Sequence, residues 1–233
     1  MTDTHLKIGI VLFDGVTSLD ALAPFEVLAR TPDSTCDLVA ETTATIRGDT
    51  GLILTPNQSF ASAPQYDVIM VPGGPGQNEA MSNDALMDFL RKQAAGAQWV
   101  TSVCTGSLLL AAAGLLDGYR ATSHWLSLDY LRLFPVEVVP DRVVIDRNRV
   151  TGGGVTSGLD FAFVLLSLLR GEETARRLQL LMEYDPAPPF RSGHPSVAPA
   201  DTVAAVRVMA AGMLVKREAA ARAAVLRRDA VGV

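Results

Sequence analysis

Apolar residues fall along the chain in short unbroken runs separated by stretches with helical spacing, and this alternation predicts strands and helices in turn. Leu6–Phe13 (LKIGIVLF) is rich in β-branched residues and predicts a central parallel strand covered on both faces. Thr17 or Ser18 can cap the helix that follows, in which Leu19, Leu22, Phe25, Val27 and Leu28 recur at helical spacing. Pro24 is expected to bend that helix or shift its start. Cys36–Glu41 predicts a second strand, while Leu52–Thr55 and the region around Ile46 predict short hairpin pieces. Asp67–Val71 (DVIMV) predicts a buried strand that breaks at Pro72-Gly73-Gly74-Pro75-Gly76. Asn83 is a good cap for the next helix, whose Leu86, Phe89 and Leu90 share a face. Gln98–Val103 predicts a strand and Leu108–Leu115 a helix. Beyond them come a helix near Trp125–Phe134, a hairpin at Arg142–Thr151, and helices at Val155–Leu169 and Glu172–Tyr184. The class is α/β with a mostly parallel central sheet.

Five of the 13 prolines lie between Pro186 and Pro199, which predicts an extended arm. The residues after it number fewer than the roughly 40 that a domain needs to fold unaided. The Ala-rich helix from Asp201 to about Arg228 is therefore expected to dock on the main domain or on a partner subunit. The expected organisation is one catalytic domain, residues 1–185, followed by an arm and C-terminal helix, residues 186–233.

Composition narrows the class further. Of 233 residues, 48% are hydrophobic and 19% charged, which excludes disorder and disulfide-stapled miniproteins. A net charge of -5 is the wrong sign for a chain that neutralises nucleic-acid phosphates. Ala94–Leu116 carries no charge and is long enough to span a bilayer, yet its middle holds Thr101, Ser102, Thr105, Gly106 and Ser107. A buried strand, a sharp turn and a buried helix account for it better. The start, MTDTHLKIGIVLFDG, has no basic region ahead of its apolar run, and Asp14 cuts that run short, so no secretory leader is expected. Two cysteines, Cys36 and Cys104, make no metal pattern; both are read as reduced thiols of a cytoplasmic protein.

The sharpest chemical signal is WVTSVCTGSLLLAAAGLL, where an apolar strand runs into Cys104 and, after Thr105-Gly106-Ser107, into an apolar helix. This is the pattern of a nucleophile elbow, which holds a side chain at the carboxyl edge of the sheet. The helix dipole and free N–H groups there are expected to make Cys104 acidic and reactive. Cys36 has no such turn beside it and is read as structural.

A reactive thiol needs a proton-transfer partner. His5 and His194 sit in the tail and the arm and are read as solvated or structural. His124 (ATSHW) can line the cleft, make a structural hydrogen bond or act in catalysis. Asp20, in the first strand-to-helix connection, lies on the same sheet edge as the elbow. Two readings stand for it: a partly buried carboxyl with a raised pKa that serves as acid and then base, or an acid offsetting a helix dipole. Gly73 and Gly74 of VPGGPG allow backbone N–H groups to face a ligand. Thr151-Gly152-Gly153-Gly154 reads as tight packing near the cleft, since no basic residue adjoins it to make a phosphate cradle.

Together GIVLFDGVTSLDALAPFEVL, DVIMVPGG, VTSVCTGSLLLAAAGLLDGYRATSHW and VTGGGVTSGLDFA resemble the ThiJ/PfpI superfamily, in that family's order and over almost the whole chain. The resemblance implies a flavodoxin-like fold with an elbow cysteine. Thr105 stands where the intracellular-protease branch has a histidine, which argues against peptidase activity. Asp20, the CTGS elbow and EYDPAPPF at Glu183–Phe190 look like the branch that hydrates isocyanides. That branch implies conversion of an isocyanide and water to an N-substituted formamide without metal or organic cofactor. Cys104 would form a thioimidate, Asp20 would supply and recover protons, and Gly74 and Thr105 would position substrate or water. The superfamily also implies a homodimer with the active site near its interface. Competing expectations keep the thiol but take a carbonyl substrate such as methylglyoxal, or give the chain a regulatory or stress-sensing role.

Overall fold

The computed structural model describes residues 5–231. The first four residues, part of the stretch read for a leader and of the range 1–185, and the last two, part of 186–233, lie outside the described residues. The chain begins with β1 (Leu6–Val11), α1 (Ser18–Leu28) and β2 (Ser34–Ala40). The short β3 (Ile46–Arg47) and β4 (Ile53–Leu54) pair antiparallel as the expected hairpin. Next come β5 (Gln58–Ser59), β6 (Val68–Val71), α2 (Gln77–Ala80), α3 (Asp84–Gly96), β7 (Trp99–Val103) and α4 (Gly106–Ala112). After β8 (Arg120–Ala121), a 3₁₀ turn (Trp125–Ser127) and α5 (Leu128–Leu131) follow, then β9 (Glu137–Val138), β10 (Val143–Asp146) and β11 (Arg149–Gly152). The chain closes with α6 (Ser157–Arg170), α7 (Glu172–Leu181) and α8 (Ala200–Val231).

Seven strands form one sheet in the order β10-β11-β7-β6-β1-β2-β5. Every pairing in it is parallel except β10 with β11. The central strands are apolar throughout because helices cover both faces: α1, α6 and α7 pack together in one layer, and α2, α3, α4 and α8 in the other. From β1 the chain crosses to β2 on one side and later returns to β6 on the other. The crevice therefore opens beyond the carboxyl ends of β1, β6 and β7, the place where such sheets hold ligands. This is an α/β architecture with a mostly parallel sheet, as the alternation of runs predicts, and flavodoxin-like, as the family resemblance implies.

Several elements differ from the sequence expectation for physical reasons. Pro24 neither ends nor delays α1, which runs through it as a continuous helix. Pro24 stacks on Gly158 of α6, where a glycine leaves room for the ring. The expected helix at Trp125–Phe134 is a 3₁₀ turn and one α-turn, the first capped by the His124 ring nitrogen. Asn83 caps α3 as expected, its side chain accepting from the Leu86 N–H at 3.0 Å. No helix among the described residues is long and apolar enough to cross a membrane; the uncharged Ala94–Leu116 stretch is divided among α3, β7 and α4.

Residues of the Pro-rich arm are mostly exposed. The distal half of α8 returns to the body of the same chain, burying Arg217, Ala221, Ala224 and Arg228. Arg228 donates to the Ala111 carbonyl at 3.0 Å and pairs with Asp117, closing the end of α4. Arg228→Ala leaves that carbonyl and carboxylate without their partner, and the expected loss is about 2–3 kcal/mol in urea unfolding. A change within experimental error would mean that α8 is held by its apolar contacts alone.

Candidate active site

Cys104 follows β7 directly, and its backbone is left-handed, with φ +57°. A side chain other than glycine is strained there, so the turn persists only because its surroundings fix it. The Cys104 N–H donates to the carbonyls of Gly152 and Gly153, at 3.0 and 2.8 Å. Its carbonyl accepts from Ser123 Oγ at 3.0 Å and Ser107 Oγ at 3.2 Å. The turn also needs a residue without a side chain after it: a Cβ on Gly106 would lie 2.0 Å from the Val71 carbonyl oxygen. The elbow is thus clamped between β6 and β11.

Asp20 sits in the first turn of α1, fully buried. Its Oδ2 accepts the Gly73 N–H at 3.1 Å, and the Cys104 thiol is near enough to act on its ionisation. Its other oxygen, Oδ1, is buried with no hydrogen-bond partner from the protein. Gly73 allows this closeness, since a Cβ there would come within 2.5 Å of the Thr105 nitrogen and 3.0 Å of Asp20 Oδ2. Three strand ends, β1 through α1, β6 through the glycine loop and β7 through the elbow, converge on one thiol–carboxyl pair.

Burial dominates the electrostatics. Asp20 is pushed up to about 7, chiefly by desolvation, with the hydrogen bonds from Cys104 and Gly73 opposing and Asp49 adding to the rise. This fits the raised-pKa reading of Asp20. Desolvation, followed by the charge of Asp20, likewise pushes the Cys104 thiol well up, while the Thr105 N–H pulls it down. The expectation of an intrinsically acidic cysteine is corrected here: loss of water outweighs the helix end and the single amide. At neutral pH the thiol keeps its proton while the Asp20 carboxyl is part-ionised, and the two groups titrate as a pair. Cys36, half-buried in β2, is pushed up to about 12 by burial and by Asp37, and lies outside the site.

The backbone amides of the glycine loop are not free, contrary to the expectation that they face a ligand. The Gly73 N–H is held by Asp20, and the Gly74 N–H donates to Thr105 Oγ1 at 3.0 Å. The loop orients Asp20 and Thr105. His124 is half-buried, and its Nδ1 accepts the Leu126 N–H at 3.2 Å. Burial, then the charge of Arg217, lowers it to about 4, so it is neutral at pH 7 and carries its proton on Nε2. It lines a cavity of about 420 Å³ with Ser123, Trp125, Gly153, Val155 and, from the arm, His194. His194 thus belongs to the wall of this cavity, whereas His5 makes only an exposed contact with Thr35. Gly154 lies flat on the His124 ring, where a Cβ would come within 2.8 Å, in keeping with the packing role read for the Thr151–Gly154 run. Sequence reasoning missed Ser123, which is next to His124 and could have been found there, and Arg217, which no local pattern marks. Among the described residues, no group of three or more His, Cys, Asp or Glu is placed to hold a metal.

The raised pKa of Asp20 has a definite sign for stability. Between about pH 4, where the unfolded carboxyl ionises, and about pH 7, where the folded one does, the native state binds more protons. The folded state therefore loses stability as pH rises through that window. Asp20→Asn removes this dependence, so its stability relative to wild type should grow from pH 4 to pH 8 by about 2–4 kcal/mol. Urea titrations at both pH values measure it; a gap that stays constant would show that Asp20 is ionised as in water.

Comparison with known proteins agrees with this geometry. The DJ-1/PfpI family matches residues 6–168. An isonitrile hydratase of Pseudomonas putida is 49% identical over 209 residues, covering 90% of this chain and 92% of the relative. A crystal structure of a ThiJ/PfpI family protein from Pseudomonas syringae superposes with a TM-score of 0.90 at 38% identity, covering 93% of this chain and 90% of that one. The transcriptional regulator GbdR of Pseudomonas aeruginosa is 35% identical over 137 residues, 58% of this chain but only 37% of the regulator. With an elbow cysteine at the carboxyl edge of a seven-stranded sheet and this extent of likeness, the chain belongs to the DJ-1/PfpI family.

Proposed function

We propose that the protein hydrates isocyanides to N-substituted formamides through a thioimidate on Cys104. The observation that carries this reading is the buried Asp20 carboxyl set against the Cys104 elbow across Gly73, whose N–H Asp20 Oδ2 accepts at 3.1 Å. The likeness to the Pseudomonas putida isonitrile hydratase over nine-tenths of both chains supports the substrate class.

In the first step the sulfur bonds to the terminal carbon of R–N≡C, and the thiol proton passes through the Asp20 carboxylate to that carbon, giving R–N=CH–S–Cys104. Asp20, now a carboxylate, takes a proton from water as the water oxygen adds to the same carbon, and returns it to nitrogen. The carbon–sulfur bond then breaks as the added hydroxyl becomes the carbonyl. Its proton restores the pair, and R–NH–CHO leaves. A carboxyl with a pKa near 7 suits both halves, because it donates and accepts protons with little penalty at neutral pH. The unpartnered Oδ1 of Asp20 can meet the water, and the amide of Thr105 steadies the sulfur when it bears charge. The reaction uses these side chains and water, with no metal or organic cofactor.

Residues 1–185 form the catalytic unit in this reading, with 186–233 as its arm and docking helix. The working form is a homodimer in the cytoplasm. Exposed apolar side chains on α7, the arm and α8, namely Leu180, Leu181, Phe190, Val208 and Met209, support an interface between copies.

Incubation with p-nitrophenyl isocyanide should yield the formamide. Cys104→Ala should abolish turnover, and Asp20→Asn should lower it by about 10²-fold or more. No formamide from folded wild type would remove the assignment. Light scattering should give a mass near twice 24.8 kDa, and a monomer would exclude the dimer.

A further inference from the structure

The cavity beside the elbow, about 420 Å³, is far larger than the two-atom isocyanide group needs. It falls in the range of about 300–1,000 Å³ that holds small organic ligands. Two of its lining residues tie it to the nucleophile: Ser123 donates to the Cys104 carbonyl at 3.0 Å, and Gly153 accepts the Cys104 N–H at 2.8 Å. Its apolar wall is made by Trp125, Leu128, Pro140 and Val155, and the Trp125 and His124 rings, 6.1 Å apart, give it an aromatic side.

His124 also supplies an unused donor. Its Nδ1 accepts the Leu126 N–H, which leaves the ring proton on Nε2, and among the described residues Nε2 has no hydrogen-bond partner. Gly154, another lining residue, keeps this edge of the ring uncovered, since a Cβ there would come 2.8 Å from Cδ2 and 3.3 Å from Nε2. The charged side chains in the wall are Asp141, which is exposed, and Arg142, which is balanced by Asp160 of α6. The cavity thus offers a neutral donor and no unbalanced buried charge.

Its outer wall comes from the arm. Gly193 and His194 line the cavity, in a turn whose His194 carbonyl accepts the N–H groups of Val197 and Ala198 at 3.0 and 2.9 Å. The root of the arm is anchored to the opposite wall: Tyr184 donates to Asp160 at 2.8 Å, and the same carboxylate pairs with Arg142. Further along, Trp125 stands between the cavity and the hollow under the arm, with the Arg207 guanidinium of α8 5.1 Å from its ring centre.

We propose that this cavity receives the substituent R of the isocyanide and that the arm, through His194, is its specificity wall. It selects flat, uncharged substituents that carry a hydrogen-bond acceptor for His124 Nε2–H. The inference deepens the isocyanide reading and rests on it for the identity of the reacting group.

The test is kcat/KM for methyl, phenyl, p-nitrophenyl and 2-naphthyl isocyanide, each ratio being compared with wild type so that intrinsic reactivity cancels. Trp125→Ala should lower the phenyl-to-methyl ratio by about 10-fold, mostly through KM. His124→Phe, which keeps a ring and removes the donor, should lower the p-nitrophenyl-to-phenyl ratio by a similar factor, and His194→Ala should raise the naphthyl-to-phenyl ratio several-fold. Ratios that stay at wild-type values, or rates that fall equally for all four substrates, would overturn the proposal. Should Trp125→Ala fail to fold, His194→Ala decides, because that residue is exposed on the arm. A second readout needs no turnover: in a Trp99→Phe background Trp125 is the one tryptophan, and N-(p-nitrophenyl)formamide should quench it saturably. Saturable quenching without formamide production from any isocyanide would refute the reaction and leave the cavity's ligand class standing. Quenching that does not saturate would overturn the cavity assignment.

Discussion

A thiol and a carboxyl buried side by side, each with its ionisation raised by loss of water, are the constraint around which this molecule is organised. The thiol keeps its proton at neutral pH while the carboxyl changes charge close to it, and the surrounding fold fixes how the two meet. Gly73 is a glycine because the carboxyl and the elbow approach each other across it. Cys104 is held in left-handed backbone by four hydrogen bonds, to the end of β11 and the residue after it, from the loop after β8 and from α4.

The parallel sheet explains why these parts meet. Three adjacent strands, β7, β6 and β1, end side by side, and the chain emerging from each contributes one element: the sulfur, the glycine bracket and the carboxyl. None needs a long loop, and rigid strand ends hold the geometry better than a flexible connection would. The helical layers contribute differently. α8 lies far along the sequence from the other parts, yet it packs on α4, the helix that starts at the elbow, and on the 3₁₀ turn after His124, so long-range docking closes the layer behind the local turns.

Much of this could be read from residues in order. The apolar runs mark β1, β6 and β7 because buried parallel strands are hydrophobic on both faces, and the strand–Cys104–helix junction marks the elbow because only small residues fit behind it. Asn83 and its helix were legible for the same local reason. What escaped depended on tertiary contact. Pro24 stays within α1 because Gly158 on a distant helix makes room for it. The glycine-loop amides, free in a local reading, are bound by Asp20 and Thr105. The thiol, acidic by its place at a helix start, is governed instead by the depth at which packing leaves it. Arg217 carries no local signature at all, since the Ala-rich helix holds two buried arginines, Arg217 and Arg228, among exposed ones.

The depth of Cys104 also sets how the protein survives between encounters with substrate. A thiol 5% exposed, with its proton affinity raised by desolvation, is a poor target for peroxide, because oxidation begins from the thiolate and needs access for the oxidant. In the proposed reaction, nucleophilic character is called up within the pair when a small uncharged electrophile enters and Asp20 handles the proton. The same burial that makes the group slow to ionise therefore lengthens its chemical lifetime, separating readiness for one electrophile from vulnerability to others.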